Sequence, residues 1–124
     1  MSVYEAVGGM GFFKDLCDRF YVRVRDDAPL LATYPDHDDL DGASERLALF
    51  LGQYFGGPSE YHDARGAPRL RMRHAPFPID EDIRDRWLVN MLAALDEMDA
   101  PNPETEEVRD YLVYAADALR NRPG

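Results

Sequence analysis

The chain has 124 residues, enough for one domain (1–124) around one hydrophobic core and too few for two. Acidic residues outnumber basic ones by 24 to 14, and a net charge of −10 repels phosphate backbones and anionic lipid headgroups, so neither nucleic acid nor a membrane surface is an expected partner. No apolar run approaches the roughly 20 residues that span a bilayer, and the N-terminus shows no basic segment followed by an apolar stretch, so a cytoplasmic protein is expected.

In chain order, Gly8, Gly9 and Gly11 break any long helix from the N-terminus. Phe12, Phe13, Leu16, Cys17, Phe20, Tyr21 and Val24 then recur at steps of three and four, which predicts an amphipathic helix with acids and arginines on its other face. Cys17 lies on that apolar line, so it reads as a small packed hydrophobe, and a lone cysteine forms no internal disulfide and no multi-cysteine metal site. Asp26-Asp27-Ala28-Pro29 ends the helix, and a single helical turn is expected before Pro35. Leu40, Ala43, Leu47, Phe50, Leu51 and Tyr54 mark a second helix, stopped by Gly56-Gly57-Pro58.

From Pro58 to Pro68 the residues lack periodicity, which predicts a structured loop. Asp80 is a suitable N-cap for a helix carrying Ile83, Trp87, Met91 and Leu95 at four-residue steps, with Leu88 and Leu92 widening the stripe. Asn102-Pro103-Glu104 gives a cap, a first-turn proline and a first-turn acid for a last helix that buries Val108, Leu112, Ala115 and Leu119. No segment alternates in the manner of paired strands, so the fold class is all-α, with four substantial helices.

The segment Arg69-Leu70-Arg71-Met72-Arg73-His74-Ala75-Pro76-Phe77 sets one histidine among arginines and apolar residues. Two readings are open on the pattern alone. One is a loop histidine hydrogen-bonded to backbone; the other is an axial ligand to haem iron through one ring nitrogen, with guanidinium groups suited to the cofactor's carboxylates. Thirteen of the 14 basic residues are arginines, and those crowding Arg65 to Arg73 make a basic island suited to a small anionic ligand rather than a polymer.

Four ordered fragments carry a resemblance. They are Arg19-Phe20-Tyr21 with Asp26, Pro29 and Leu30; Tyr34-Pro35 leading to Phe50-Leu51, Gln53-Tyr54 and Gly56-Gly57-Pro58; Arg65-Gly66 and Pro68 through His74 with Pro76-Phe77 and Ile79; and Arg84-Asp85, Trp87-Leu88 and Met91. In this order and spacing the chain, from about Val3 to Asn121, resembles the truncated haemoglobins of the second, O-type group. The resemblance implies a shortened globin fold, a two-over-two helical sandwich in which a loop replaces most of the usual proximal helix.

It also implies haem b as cofactor and His74 as proximal iron ligand. Tyr21, Tyr34 and Trp87 match the family's distal donors, and two phenols and one indole N–H aimed at bound dioxygen would slow its release. Ala43 and Leu47 stand where many globins place histidine or glutamine. Leu47 and Phe50 are expected as apolar haem contacts, together with Met72, Phe77, Ile79 and Met91, and Arg46 and Arg73 are the candidates for the propionates. Two positions depart from the pattern. Phe55 stands where tryptophan often precedes the glycine pair, and Ala67 where histidine commonly follows Arg-Gly. His62 and His37 are read as exposed and not as second axial ligands.

Three functions follow in order. The first is binding of dioxygen and other diatomic or anionic ligands at a five-coordinate iron, leaning away from an enzyme. The second uses the same site for oxidation of nitric oxide or peroxidase-like turnover, with an external reductase as partner; the absence of a distal histidine counts against a dedicated peroxidase. The third is a cofactor-free helical interaction module, against which an empty cleft lined with aromatics would cost several kcal/mol. Either a monomer or a homodimer is compatible with the apolar residues of the last two helices.

Overall fold

In a computed structural model, which describes residues 2–34, 37–65, 74, 78–100 and 102–122, the chain forms α1 (Val3–Val7), α2 (Met10–Arg25), α3 (Ala28–Leu31), a 3-10 turn (His37–Asp39), α4 (Leu40–Tyr54), α5 (Glu60–Arg65), α6 (Glu81–Glu97) and α7 (Pro103–Ala118). No strand occurs among the described residues. Helix α2 packs on α4 and on α6, and α6 packs on α7, so the two pairs α2/α4 and α6/α7 are laid one over the other as expected.

The apolar line on α2 explains its central place. Phe13, Leu16, Cys17, Phe20 and Val24 are fully buried, and removing side chains of this size from water stabilises the fold by about 1.5–3 kcal/mol each. From the facing helices come Ala48 and Leu51 on α4, Met91, Ala94 and Leu95 on α6, and Val108 and Leu112 on α7. A polar contact fixes the α2/α4 pair as well: the buried Ser44 hydroxyl donates to the Asp18 carboxylate at 2.8 Å.

Three of the 24 acidic residues cap helix starts. Asp27, Asp39 and Asp80 accept from the N–H groups of Leu30, Gly42 and Ile83, and Asn102 accepts from that of Thr105. Each such cap is worth about 1 kcal/mol and places a side-chain oxygen, anionic in the three aspartates, at the positive end of a helix dipole. At the other end of α4, Gly56 takes φ +108°, while Gly56 N–H donates to Gln53 O and Gly57 N–H to Gly52 O. That paired closure requires a left-handed residue, which glycine supplies without a Cβ clash.

Three expectations are corrected. A short helix, α1, precedes the glycines, and only Gly8 (φ +114°) and Gly9 (φ +74°) break the chain, whereas Gly11 lies inside α2. The predicted loop from Pro58 to Pro68 contains α5. Tertiary contacts support that helix: Tyr61 is buried edge-on against Phe50 at 5.5 Å, and His62 N–H donates to the Gln53 side chain at 2.9 Å. On α7 the buried apolar residues are Val108, Leu112 and Ala116, with Ala115 and Leu119 only half-buried.

Candidate functional site

A cavity of about 430 Å³ is bounded by α2, α3, α4, α5, α6 and α7 together with His74, within the roughly 300–1,000 Å³ usual for small-molecule sites. Its walls are mainly apolar: Leu30, Ala43, Leu47, Phe50, Ile79 and Ile83 contribute, with Leu112 and Leu119 from α7. In a chain with 24 acidic residues, no aspartate or glutamate is among the described residues lining it, and two arginines, Arg46 and Arg84, are.

Tyr21, Tyr34 and Trp87 all line this cavity, although they come from α2, from the segment after α3 and from α6. Packing on Phe20 brings two of them together. That fully buried ring meets Tyr21 edge-on at 4.9 Å and Trp87 at 5.3 Å, and Tyr21 in turn meets Tyr34 at 5.5 Å with planes 74° apart. Such edge-to-face pairs add roughly 0.5–1.5 kcal/mol beyond burial and fix ring orientation. Burial pushes the Tyr21 phenol well above its ordinary range, and the Tyr34 phenol beside it adds to the rise. Burial raises Tyr34 to about 12 against the opposing pull of hydrogen bonding from Tyr21 and Trp87. Both phenols therefore keep their protons at neutral pH, when only the protonated form can donate a hydrogen bond.

His74 is half-buried and lines the same cavity. The sequence reading missed what holds it. The Asn121 side chain donates through Nδ2 to the His74 carbonyl at 3.0 Å and accepts from Ile79 N–H at 2.8 Å, while Asn121 N–H donates to Ile79 O at 2.9 Å. A single side chain, three positions past the end of α7, thus ties both ends of the segment His74 to Ile79. These ties span 47 and 42 residues, so no local pattern signals them.

The remaining expected contacts divide. Ala43, Arg46, Leu47, Phe50 and Ile79 line the cavity; Met91 is fully buried in the core and is not among the lining residues; Met72, Arg73 and Phe77 lie outside the described residues. Arg46 is held loosely by Asp39 at 3.8 Å, with 45% of its side chain exposed. Arg84, which belongs to the fourth fragment of the resemblance but was not expected at the site, is 19% exposed and is paired at 2.6 Å with both Asp85 and Asp117. Thr33, Tyr61 and Tyr111 also line the cavity without having been expected there. Burial pushes the Cys17 thiol up, in keeping with a packed hydrophobe. The His62 residue is exposed. Among the described residues no group of three or more His, Cys, Asp or Glu side chains is placed to hold a metal ion.

This donor set suits haem. An apolar body with anionic carboxylates fits walls that, among the described residues, carry cations and no acids, and one imidazole with three aromatic donors fits an iron centre and its ligand. No helix among the described residues is long and apolar enough to cross a membrane.

Comparison with known proteins agrees. The family model described as bacterial-like globin matches residues 2–121. A group 2 truncated hemoglobin, YjbI, of Bacillus subtilis is 38% identical over 109 residues, covering 88% of this chain and 77% of that protein. Among solved structures, a thermostable hemoglobin from the actinobacterium Thermobifida fusca superimposes with a TM-score of 0.95 at 50% identity, covering 100% of both chains. A truncated oxygen-avid haemoglobin from Bacillus subtilis does so with a TM-score of 0.90 at 35% identity, covering 98% of this chain and 100% of that one.

Proposed function

The chain belongs to the bacterial-like globins, as a group II truncated haemoglobin, and we propose that it holds haem b in the cavity, with His74 as the iron ligand, to bind dioxygen and other small diatomic or anionic ligands. Haem-based ligand binding follows from the family. The observation that carries the finer reading is the cavity wall itself, which joins His74, Tyr21, Tyr34 and Trp87 around an apolar space free of acids among the described residues. The oxygen avidity of the Bacillus subtilis protein supports dioxygen as the ligand here.

When bound, haem supplies an iron with a position open to a small ligand. Everything else is done by the chain. His74 offers a ring nitrogen to the iron, and Asn121 holds its backbone in place. Arg46 and Arg73 meet the propionates, a task for which Arg46 is free to leave the 3.8 Å contact with Asp39. Tyr21 and Tyr34, kept protonated by burial, donate O–H groups, and Trp87 donates its indole N–H. Leu47, Phe50 and Ile79 exclude water, so each of these donors acts in a medium of low dielectric.

The test is the visible spectrum of haem-loaded protein in oxidised, reduced, oxygen-bound and CO-bound states, for wild type and His74→Ala. The expected result is a Soret band that shifts with each ligand and is lost or altered in the variant. A folded wild type that gains no band with hemin, or a variant spectrum identical to wild type in every state, would overturn the assignment.

A further inference from the structure

The three donors on the cavity wall come from three elements: Tyr21 from α2, Tyr34 from the segment after α3 and Trp87 from α6. Asp27 is a polar junction of all three, and its side chain is 16% exposed. Its N–H donates to Val24 O at 3.1 Å, which ties it to the end of α2. Its Oδ1 accepts from Leu30 N–H at 3.3 Å and so caps α3. The same oxygen accepts from Arg86 Nη1 at 3.1 Å, and Oδ2 accepts from Asn90 Nδ2 at 3.0 Å, both on α6. A helix cap needs only one of these bonds; the other two reach across to α6.

The two arms on α6 are themselves fixed along that helix. Arg86 Nε donates to Asp82 one turn back at 2.9 Å, and Asn90 Nδ2 donates also to the Arg86 carbonyl at 2.8 Å. Arg86 and Asn90 stand four residues apart, hence on one face, and Trp87 follows Arg86 directly. Holding that face at Asp27 therefore fixes the rotation of α6 about its axis. Side chains reach about 5–6 Å from a helix axis, so a turn of roughly 10° carries an outer atom about 1 Å. A displacement of that size weakens a hydrogen bond from the Trp87 indole N–H.

We propose that Asp27 is a positioning residue for ligand binding: by clamping Arg86 and Asn90 it sets the heading of Trp87 towards the haem ligand, and so the rate at which dioxygen leaves. The proposal rests on the haem reading above. Asp27 is not among the residues lining the cavity, so its effect passes through α6. The clamp and the Phe20 ring hold Trp87 from different sides: Phe20 sets the indole against α2, and Asp27 sets the helix that carries it.

The test is oxygen release from haem-loaded protein, measured by stopped-flow displacement with CO. The Fe–CO stretching frequency is the second readout, because it reports the donors facing the ligand and not the stability of the fold. Asp27→Asn separates the two tasks of this residue, since asparagine caps a helix start as well as aspartate but brings a single acceptor atom and no charge to the clamp. The expected outcome is several-fold faster release and a shifted Fe–CO band. Asn90→Ala, which removes one arm and leaves the cap intact, should move both in the same direction by a smaller factor. In a Trp87→Phe background, which lacks the indole donor, either substitution should leave release nearly unchanged. Release at the wild-type rate in Asp27→Asn, or in Asn90→Ala where the first does not fold, would overturn the clamp, as would the same fold-change with and without Trp87. Each of these results would leave the Soret band and the haem reading intact, whereas a wild type with no Soret band would overturn both.

Discussion

Tyr21 and Trp87 reach the cavity from the interiors of α2 and α6 and are set by edge-on packing against Phe20, whereas His74 reaches it from the stretch between α5 and α6, with its carbonyl tied to Asn121. On the first side, orientation comes from buried rings within helices whose starts and apolar faces are encoded locally. On the second, hydrogen bonds reach across from the end of the chain. The physical difference is one of scale: a buried aromatic ring contributes several kcal/mol, while a single hydrogen bond contributes about 1 kcal/mol net. The aromatic side should therefore be the stiffer half of the site, and the histidine side the half more open to adjustment.

The largest effect expected from breaking this contrast is at Phe20. Phe20→Ala should destabilise the protein by about 3–5 kcal/mol, read as a lower urea midpoint, and should also disturb the Trp87 fluorescence. A change within error of wild type would show that Tyr21 and Trp87 are positioned by something other than this ring. Alkaline pH attacks the same side. The Tyr34 phenol loses its proton near 10 when unfolded and near 12 when folded. Between those values the unfolded chain holds fewer protons on this group, so the contribution of Tyr34 to stability is constant below pH 10 and is lost, by a few kcal/mol, as pH rises towards about 12. Denaturation curves across that window should show the decline, and Tyr34→Phe should lessen it, leaving the share owed to Tyr21 and Tyr111, whose phenols are raised as well.

On the histidine side, Asn121→Leu leaves the His74 carbonyl and the Ile79 N–H without their amide partner. It should cost about 1–3 kcal/mol and speed transfer of hemin to an excess of acceptor globin. Asn121→Asp, which can still accept from Ile79, should fall between. Equal hemin loss in all three proteins would remove Asn121 from the support of the site. The smallest effect is expected for Tyr34→Phe at neutral pH, where loss of one donor of about 1 kcal/mol should raise the oxygen release rate several-fold, measured by stopped-flow displacement with CO.

Much of this was legible beforehand. The line from Phe12 to Val24, the helix ended by Gly56-Gly57 and the Asp80 and Asn102 caps all lie where the pattern put them, because each depends on residues three or four apart. Helix α5 was missed because its own residues carry no apolar period, and Tyr61 and His62 are recruited by Phe50 and Gln53 of α4. Nothing in the sequence marks Tyr111 as a cavity residue, since its place on the wall depends on how α7 sits against α4.

The sequence by itself determined the helices, their caps and their buried faces, since helical period and capping are properties of neighbours along the chain. It also carried the set of aromatic and histidine residues by which the family is recognised. Only the tertiary structure decided which of them meet. Trp87 was set against Phe20, beside Tyr21, Asn121 became the tie for His74, and acids were kept off the described cavity wall, because each outcome joins residues dozens of positions apart through packing and hydrogen bonds that no short stretch encodes.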